Sequence, residues 1–255
     1  MFVLEARELT KHFGGLKALE AVSFKVKEGA IHSIIGPNGA GKTTLFNCLT
    51  GVTRPTRGSI HFSGQEISRL QPHEVAELGI ARTFQNIRLF PEMTVMENVM
   101  VAQHTRTKYG LLSAVLRGSS FMSKERAVRE KGFEYLELMG LEDHAEALAG
   151  NLPYGSQRRL EIARALATEP KIILLDEPTA GMNPMETLEV MDLIRKVKGL
   201  GKTVILIEHD MKLVMGISEW ILVLDHGVGI AEGSPEEVRN DPLVIEAYLG
   251  RETTH

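Results

Sequence analysis

Short aliphatic runs alternate along this chain with longer stretches in which apolar positions recur every three or four residues. Ile31–Ile35, Ile172–Leu175 and Val204–Ile207 carry apolar residues on both faces, the pattern of strands covered on both sides of a parallel sheet. Ile221–Leu224 is a further run of strand length. Helical periodicity marks Thr43–Leu49, Lys124–Met139, Ser156–Ala167, Met185–Val197 and Pro235–Leu249. Leu4–Leu9, Val22–Val26 and Ser59–Phe62, set off by turn signals at Gly14-Gly15, Arg57-Gly58 and Ser63-Gly64, are expected to form a smaller antiparallel layer. From about residue 88 to residue 150 the pattern is helical without an evident strand, which suits a helical insertion into an α/β core. Strands alternating with helices predict an α/β fold around a largely parallel sheet.

Composition narrows the setting. The chain has 255 residues, of which 43% are hydrophobic and 24% charged, enough for a full core and unlike a disordered chain. Aromatics make up 5%, so that core is mostly aliphatic. The formal net charge of −4 argues against a nucleic-acid partner, which needs a basic excess or stripe. Cys48 is the single cysteine, so no internal disulfide is expected and a reducing compartment is. Glu5, Arg7 and Glu8 interrupt the stretch where a secretory leader would need an apolar run. No apolar run reaches the roughly 20 residues of a membrane span, so any work at a membrane would leave the spanning to another chain.

The segment Gly36-Pro37-Asn38-Gly39-Ala40-Gly41-Lys42-Thr43-Thr44 fits G-x-x-x-x-G-K-[ST], between a buried strand and an amphipathic helix. Its glycines let the backbone wrap a phosphate, and the loop amides and the helix start face the anion. Lys42 is placed to neutralise the β/γ-phosphates, and the Thr43 hydroxyl to hold Mg²⁺. A chance match anywhere in a chain of this length is roughly a 1% event. The pattern implies binding of a nucleoside triphosphate, ATP by the resemblance below.

Ile172–Leu175 ends in two adjacent carboxylates, Asp176 and Glu177. In phosphate-loop proteins an Asp at such a strand tip organises the Mg²⁺ shell. The next side chain points elsewhere, so Glu177 can orient and deprotonate a water in line with the γ-phosphate.

Taken in order, these motifs resemble the ATP-binding subunits of ABC transporters, and the likeness runs nearly end to end. The resemblance implies one domain over residues 1–255, a P-loop (RecA-like) ABC ATPase core with an antiparallel β subdomain and an inserted helical subdomain. Residues 1–87 and 165–255 would form the α/β core with its β layer, and residues 88–164 the helical part with the signature segment. Phe13, 23 positions before Gly36, resembles the aromatic that stacks on adenine, the alternative being a core phenylalanine. Gln85, in Arg82-Thr83-Phe84-Gln85-Asn86, resembles the glutamine that contacts Mg²⁺ and water and links to the transmembrane partner. His209, in Ile207-Glu208-His209-Asp210, resembles the switch histidine that touches the γ-phosphate. The other histidines lack ligand spacing, so no metal besides Mg²⁺ is expected.

The family signature L-S-G-G-Q is altered here to Leu152-Pro153-Tyr154-Gly155-Ser156, while the helix that follows matches well. In the family the serine caps that helix and bonds the γ-phosphate of ATP held by the opposite subunit. Pro153 cannot donate such a bond, although proline suits a helix start. The Gly155 amide and the helix dipole remain. Two unequal composite sites are therefore expected. Asn183 stands where most relatives carry an Asp across the dimer interface.

Phe46–Gly51, Arg82–Pro91, Arg158–Arg164, Ile207–Met215 and Ala247–Gly250 resemble the branched-chain amino acid importers in particular. That likeness implies a second ATPase subunit, different from this chain unless a homodimer forms, two permease subunits, an external solute-binding protein and no nucleic acid. It also implies a peripheral place on the cytoplasmic face of the cytoplasmic membrane. Urea and short-amide importers share many of these segments. A lipid or lipopolysaccharide exporter subunit and a soluble ABC ATPase are the remaining alternatives. Tyr109–Leu116 is apolar enough to face a partner or to pack inward.

Overall fold

The computed structural model of the chain describes residues 1–103 and 119–249, so the Tyr109–Leu116 stretch lies outside the described residues. The elements begin β1 (Phe2–Phe13), β2 (Leu16–Lys27), β3 (Ile31–Ile35), α1 (Lys42–Leu49), β4 (Arg57–Phe62), β5 (Gln65–Glu66), α2 (Pro72–Leu78) and β6 (Ile80–Arg82). There follow α3 (Val95–Gln103), α4 (Ser119–Leu138), α5 (Tyr154–Ala167), β7 (Ile172–Asp176) and α6 (Pro184–Gly199). The chain then runs through β8 (Thr203–Ile207), α7 (Met211–Ile217), β9 (Trp220–Asp225), β10 (Val228–Gly233), α8 (Pro235–Arg239) and α9 (Pro242–Leu249). Two compact units result: Met1–Arg82 with Lys171–His255, and Thr83–Pro170.

The first unit is built from two sheets. One is antiparallel, in the order β2-β1-β4-β5; the other is β10-β9-β3-β8-β7-β6, parallel except for the β9–β10 hairpin. Every residue of β3, β7 and β8 is buried, as strands covered on both faces must be. In β2, by contrast, Val22, Phe24 and Val26 alternate with exposed Ala21, Ser23, Lys25 and Lys27, so one face meets the core and the other water. Between the sheets, Ile34, Ile205, Leu174 and Leu222 pack with Leu4, Ala6, Phe24 and Ile60 and with Leu45, Phe46, Cys48 and Leu49 of α1. Each of the Leu, Ile and Phe side chains among these contributes on the order of 2 kcal/mol by leaving water. On the opposite face of the parallel sheet, Ile35, Ile221 and Val223 pack with Val214, Val238 and Val244.

Three differences from the sequence pattern have plain causes. The early strands are longer than their apolar cores, because hydrogen bonds to neighbours carry pairing past the apolar run. Strands β6 and β10, absent from the expectations, are recruited by pairing with β7 and β9. The helix expected over Pro235–Leu249 is two helices, broken where Asn240 ends α8 and Pro242 opens α9.

In the second unit α3, α4 and α5 pack together, and Thr94 and Leu148 form an isolated antiparallel bridge. Buried Asn98 ties this unit's entry loop by accepting from the Phe90 amide and donating to the carbonyls of Phe90 and Thr94. No helix among the described residues is long and apolar enough to cross a membrane.

Candidate active site

The phosphate loop follows β3 and leads into α1. Gly36, at φ 146°, could not carry a side chain, since a Cβ there would lie 2.0 Å from the Leu224 carbonyl oxygen. A Cβ on Gly41, at φ 101°, would lie 2.5 Å from the Ala18 carbonyl oxygen. Backbone from β2 and β9 therefore approaches the loop closely, and the Gly227 amide donates to the Ala40 carbonyl at 3.0 Å. The buried Lys42 ammonium donates to the carbonyls of Gly36, at 2.7 Å, and Pro37, at 3.0 Å, which fixes the cation inside the loop. Asn38, Gly39 and Thr43 are exposed, Thr44 and Gly41 half-buried, and Pro37 and Ala40 buried. Gly41 caps α1 in a left-handed conformation and no side chain satisfies the first turn, so the helix start is left for an anion.

Asp176, buried, closes β7. The Arg82 guanidinium, from the end of β6, donates to Asp176 Oδ2 at 2.7 Å and to Asn47 Oδ1 on α1 at 2.6 Å. Glu177, half-buried, sits at φ 47°, a left-handed conformation that costs a non-glycine residue about 1 kcal/mol or more. Its amide donates to the Ile207 carbonyl at 3.0 Å, which holds the strained residue beside the end of β8. Glu208, fully buried, accepts from the Thr179 amide and hydroxyl, at 3.1 and 2.6 Å, and from the His209 amide at 3.1 Å. One carboxylate thus clamps the loop after Glu177 to the segment carrying His209. The His209 ring is 64% exposed and Nδ1 lies 3.8 Å from Glu208 Oε2.

Phe13 lies at the turn end of the β1–β2 hairpin, 49% exposed, with the Lys11 ammonium 4.7 Å from its ring centre. It is not a core residue. The same hairpin presents Ala18 and Leu19 to Gly41, so its strand backs the phosphate loop.

The remaining expected residues belong to the second unit. Pro153, at φ −55°, caps α5 without a side-chain bond, and Tyr154 begins the helix with its ring 48% exposed. Gly155 is half-buried; Ser156 is buried and its Oγ accepts from Arg159 at 3.1 Å. Gln85 is exposed, and its carbonyl accepts from Arg158 at 2.8 Å. Arg158, fully buried, also donates to the Phe84 carbonyl at 2.6 Å and to Glu161 at 2.9 Å, so α5 fixes the backbone that carries Gln85. Burial raises the Glu161 pKa above the usual carboxylate value, against the pull of Arg158 and the Phe84 amide.

The sequence profile of the ABC transporter family matches residues 19–180, well over half of the chain. The chain belongs to the ABC transporter family. A second profile, "Branched-chain amino acid ATP-binding cassette transporter", matches residues 230–253. The cassette is 50% identical over 249 residues to the high-affinity branched-chain amino acid transport ATP-binding protein BraF of Pseudomonas aeruginosa, covering 97% of this chain and 98% of that one. Identity to LivG of Escherichia coli K12, of the same description, is 49% over 97% of this chain and 98% of that one. Among solved structures, a nucleotide-free ATP-binding cassette from an ABC transporter superposes with a TM-score of 0.84 at 36% identity, covering 97% of this chain and 99% of the other. The ADP conformation of MJ1267, an ATP-binding cassette of an ABC transporter, gives 0.85 at 35% identity, covering 98% and 99%. The fold is thus that of an ABC ATPase, and the cassette is a nucleotide-binding ATPase subunit of a transporter.

Three residues of the cassette escaped the sequence reading. Arg82 stood there only as a neighbour of Gln85, Glu208 only as a neighbour of His209, and Arg158 only as the start of a stretch shared with the importers. Charged residues within three positions of motif residues were the available signal; their partners, Asp176, Thr179 and the 84–85 backbone, lie far away in sequence.

Proposed function

We propose that this cassette hydrolyses Mg·ATP to power uptake of branched-chain amino acids, working on the cytoplasmic face of the cytoplasmic membrane. Its partners are a second, different ATP-binding subunit, two permease chains and, indirectly, an external solute-binding protein. The observation that carries this reading is 50% identity to BraF along 97% of the chain.

The residues support the chemistry. Lys42 and the loop amides from Gly36 to Thr44 bind the phosphates, and Phe13 takes the adenine on its exposed ring. The Thr43 hydroxyl and the Asp176 carboxylate are hard oxygen donors, and Mg²⁺ takes one or two such protein groups beside phosphate oxygens and water. Bound there, the ion neutralises charge developing on the phosphates. Gln85 is assigned to the same shell by its resemblance alone. Glu177 takes the proton of a water attacking the γ-phosphorus as the bond to ADP breaks, and His209 contacts the γ-phosphate. Pro153, Tyr154, Gly155 and Ser156 meet the ATP held by the partner cassette. Closure on binding and opening after hydrolysis shift the permease between its states.

Glu177→Gln tests the reading, because it preserves shape and binding while removing the base. Its turnover is expected to fall about 100-fold or more. Tagged and purified from its own cells in detergent with Mg·ATP, the variant should bring down two permeases and a second cassette. Recovery of ribosomal or DNA-repair proteins, or of copies of itself alone, would refute the importer assignment.

A further inference from the structure

At the end of β3 away from the phosphate loop, the two sheets of the first unit open onto a cavity of about 720 Å³. Phe2 and Phe24 line it from the antiparallel sheet, His32 and Trp220 from the parallel one. His32 and Trp220 are cross-strand neighbours, and the Phe24 and His32 rings lie 5.8 Å apart at 53°. A slot walled by rings from both layers suits a flat aromatic body, and its volume is that of a small-molecule site.

The polar groups define the rest of the ligand. His32 is 1% exposed and its Nε2 is buried without a hydrogen-bond partner, a group that folding normally satisfies. Burial depresses its pKa to about 4, so at neutral pH it offers a hydrogen bond and no charge. Each of the three lining carboxylates has a partner, cationic for Glu5 and Glu219 and neutral for Glu232. Glu5 holds Arg7 at 2.6 Å and Lys25 at 3.0 Å, Glu219 holds Lys198 at 2.9 Å, and Glu232 accepts the Trp220 indole N–H at 2.8 Å. Lys27 is exposed on the same lining, makes no ion pair among the described residues and reaches Glu219 only through space. Arg7, Lys25, Lys27 and Lys198 thus stand against three carboxylates, so the net charge around the mouth is positive and Lys27 is the cation placed to meet an acidic group.

We propose that this cavity binds a flat aromatic monoanion, with its ring between the Phe24–His32 pair and Trp220 and its acidic group on Lys27. The site is separate from the nucleotide site, since His32 is the second residue of β3 and the phosphate loop follows the strand's far end.

Trp220 is the only tryptophan of the chain, so its indole N–H gives a single cross-peak that reports on the cavity. The full chain would be titrated with 2-naphthoate and, separately, with neutral 2-naphthamide. The expected result is a saturable shift for one naphthoate per chain, binding about threefold or more tighter than the amide, as one partly exposed ion pair allows. Lys27→Met, an exposed substitution that keeps the apolar stem, should remove that preference and leave the amide's affinity unchanged. Saturating Mg·ADP should not displace the naphthoate. A shift that fails to saturate, equal affinity for acid and amide, a preference that survives Lys27→Met, or displacement by Mg·ADP would each overturn the assignment.

Discussion

Arg82 joins the ends of three elements, reaching from β6 to Asp176 on β7 and Asn47 on α1. Its side chain is 8% exposed and that of Asp176 4%, so the pair sits where water screens little. Removing one partner of a buried pair costs more than the pair contributes, because the other charge stays behind. Arg82→Met is therefore expected to lower unfolding stability by about 3 kcal/mol, read from the urea midpoint. Arg82→Lys should fall between, since a single ammonium cannot reproduce the two-pronged bond to Asp176 and Asn47. A loss below about 1 kcal/mol for Arg82→Met would mean that the pair behaves as a surface bridge. This contact joins positions 82 and 176, and no local pattern announces a pairing at that separation. The same holds for Glu208 and Thr179, joined across the ends of β7 and β8. Motif residues are legible because their spacing is local; the residues that hold them are not.

At the scale of elements, α6 illustrates how one side chain can serve structure where a family motif suggests chemistry. Asn183 accepts from the amides of Met185 and Glu186, at 2.9 and 3.1 Å, and the Glu186 carboxylate returns a bond to the Asn183 amide at 2.9 Å. This capping box starts the helix, with Pro184 at its first position. Asn183→Ala should cost about 1 kcal/mol of stability by thermal or urea unfolding, whereas Asn183→Asp, an equally good cap, should change it little. An equal loss in both variants would contradict the capping role. Boundaries elsewhere were legible in proportion to how far local pattern controlled them. Strands β3, β7 and β8 stood out because they are apolar on both faces. Strand β6 has only three residues, and β10 contains Gly229 and ends on Gly233, so pairing partners rather than composition define both. The break between α8 and α9 was hidden because apolar periodicity resumes after Pro242.

At the scale of the whole molecule, the altered signature bears on how two cassettes would share two ATP molecules. Pro153 occupies the cap position of α5, has no amide hydrogen and offers no side-chain bond, so the γ-phosphate of a partner's ATP would meet only the Gly155 amide and the helix start. A serine there would add a hydroxyl donor to a charged acceptor, a bond worth about 1.5–3 kcal/mol. Pro153→Ser, placed in the slow Glu177→Gln background together with the partner cassette, should therefore tighten ATP-dependent association about tenfold or more. Sedimentation across an ATP titration would read the shift, and the same substitution in the active chain should raise turnover at low ATP. The cap itself should also gain, since serine satisfies first-turn amides that proline leaves open. Thermal unfolding without nucleotide isolates that contribution, so a gain in stability alone would assign Pro153 to the helix and leave the two composite sites equivalent. Tighter association beyond the stability gain would instead mean that the asymmetry is built into this chain, with the weaker site lying where its own signature closes on the partner's phosphate loop.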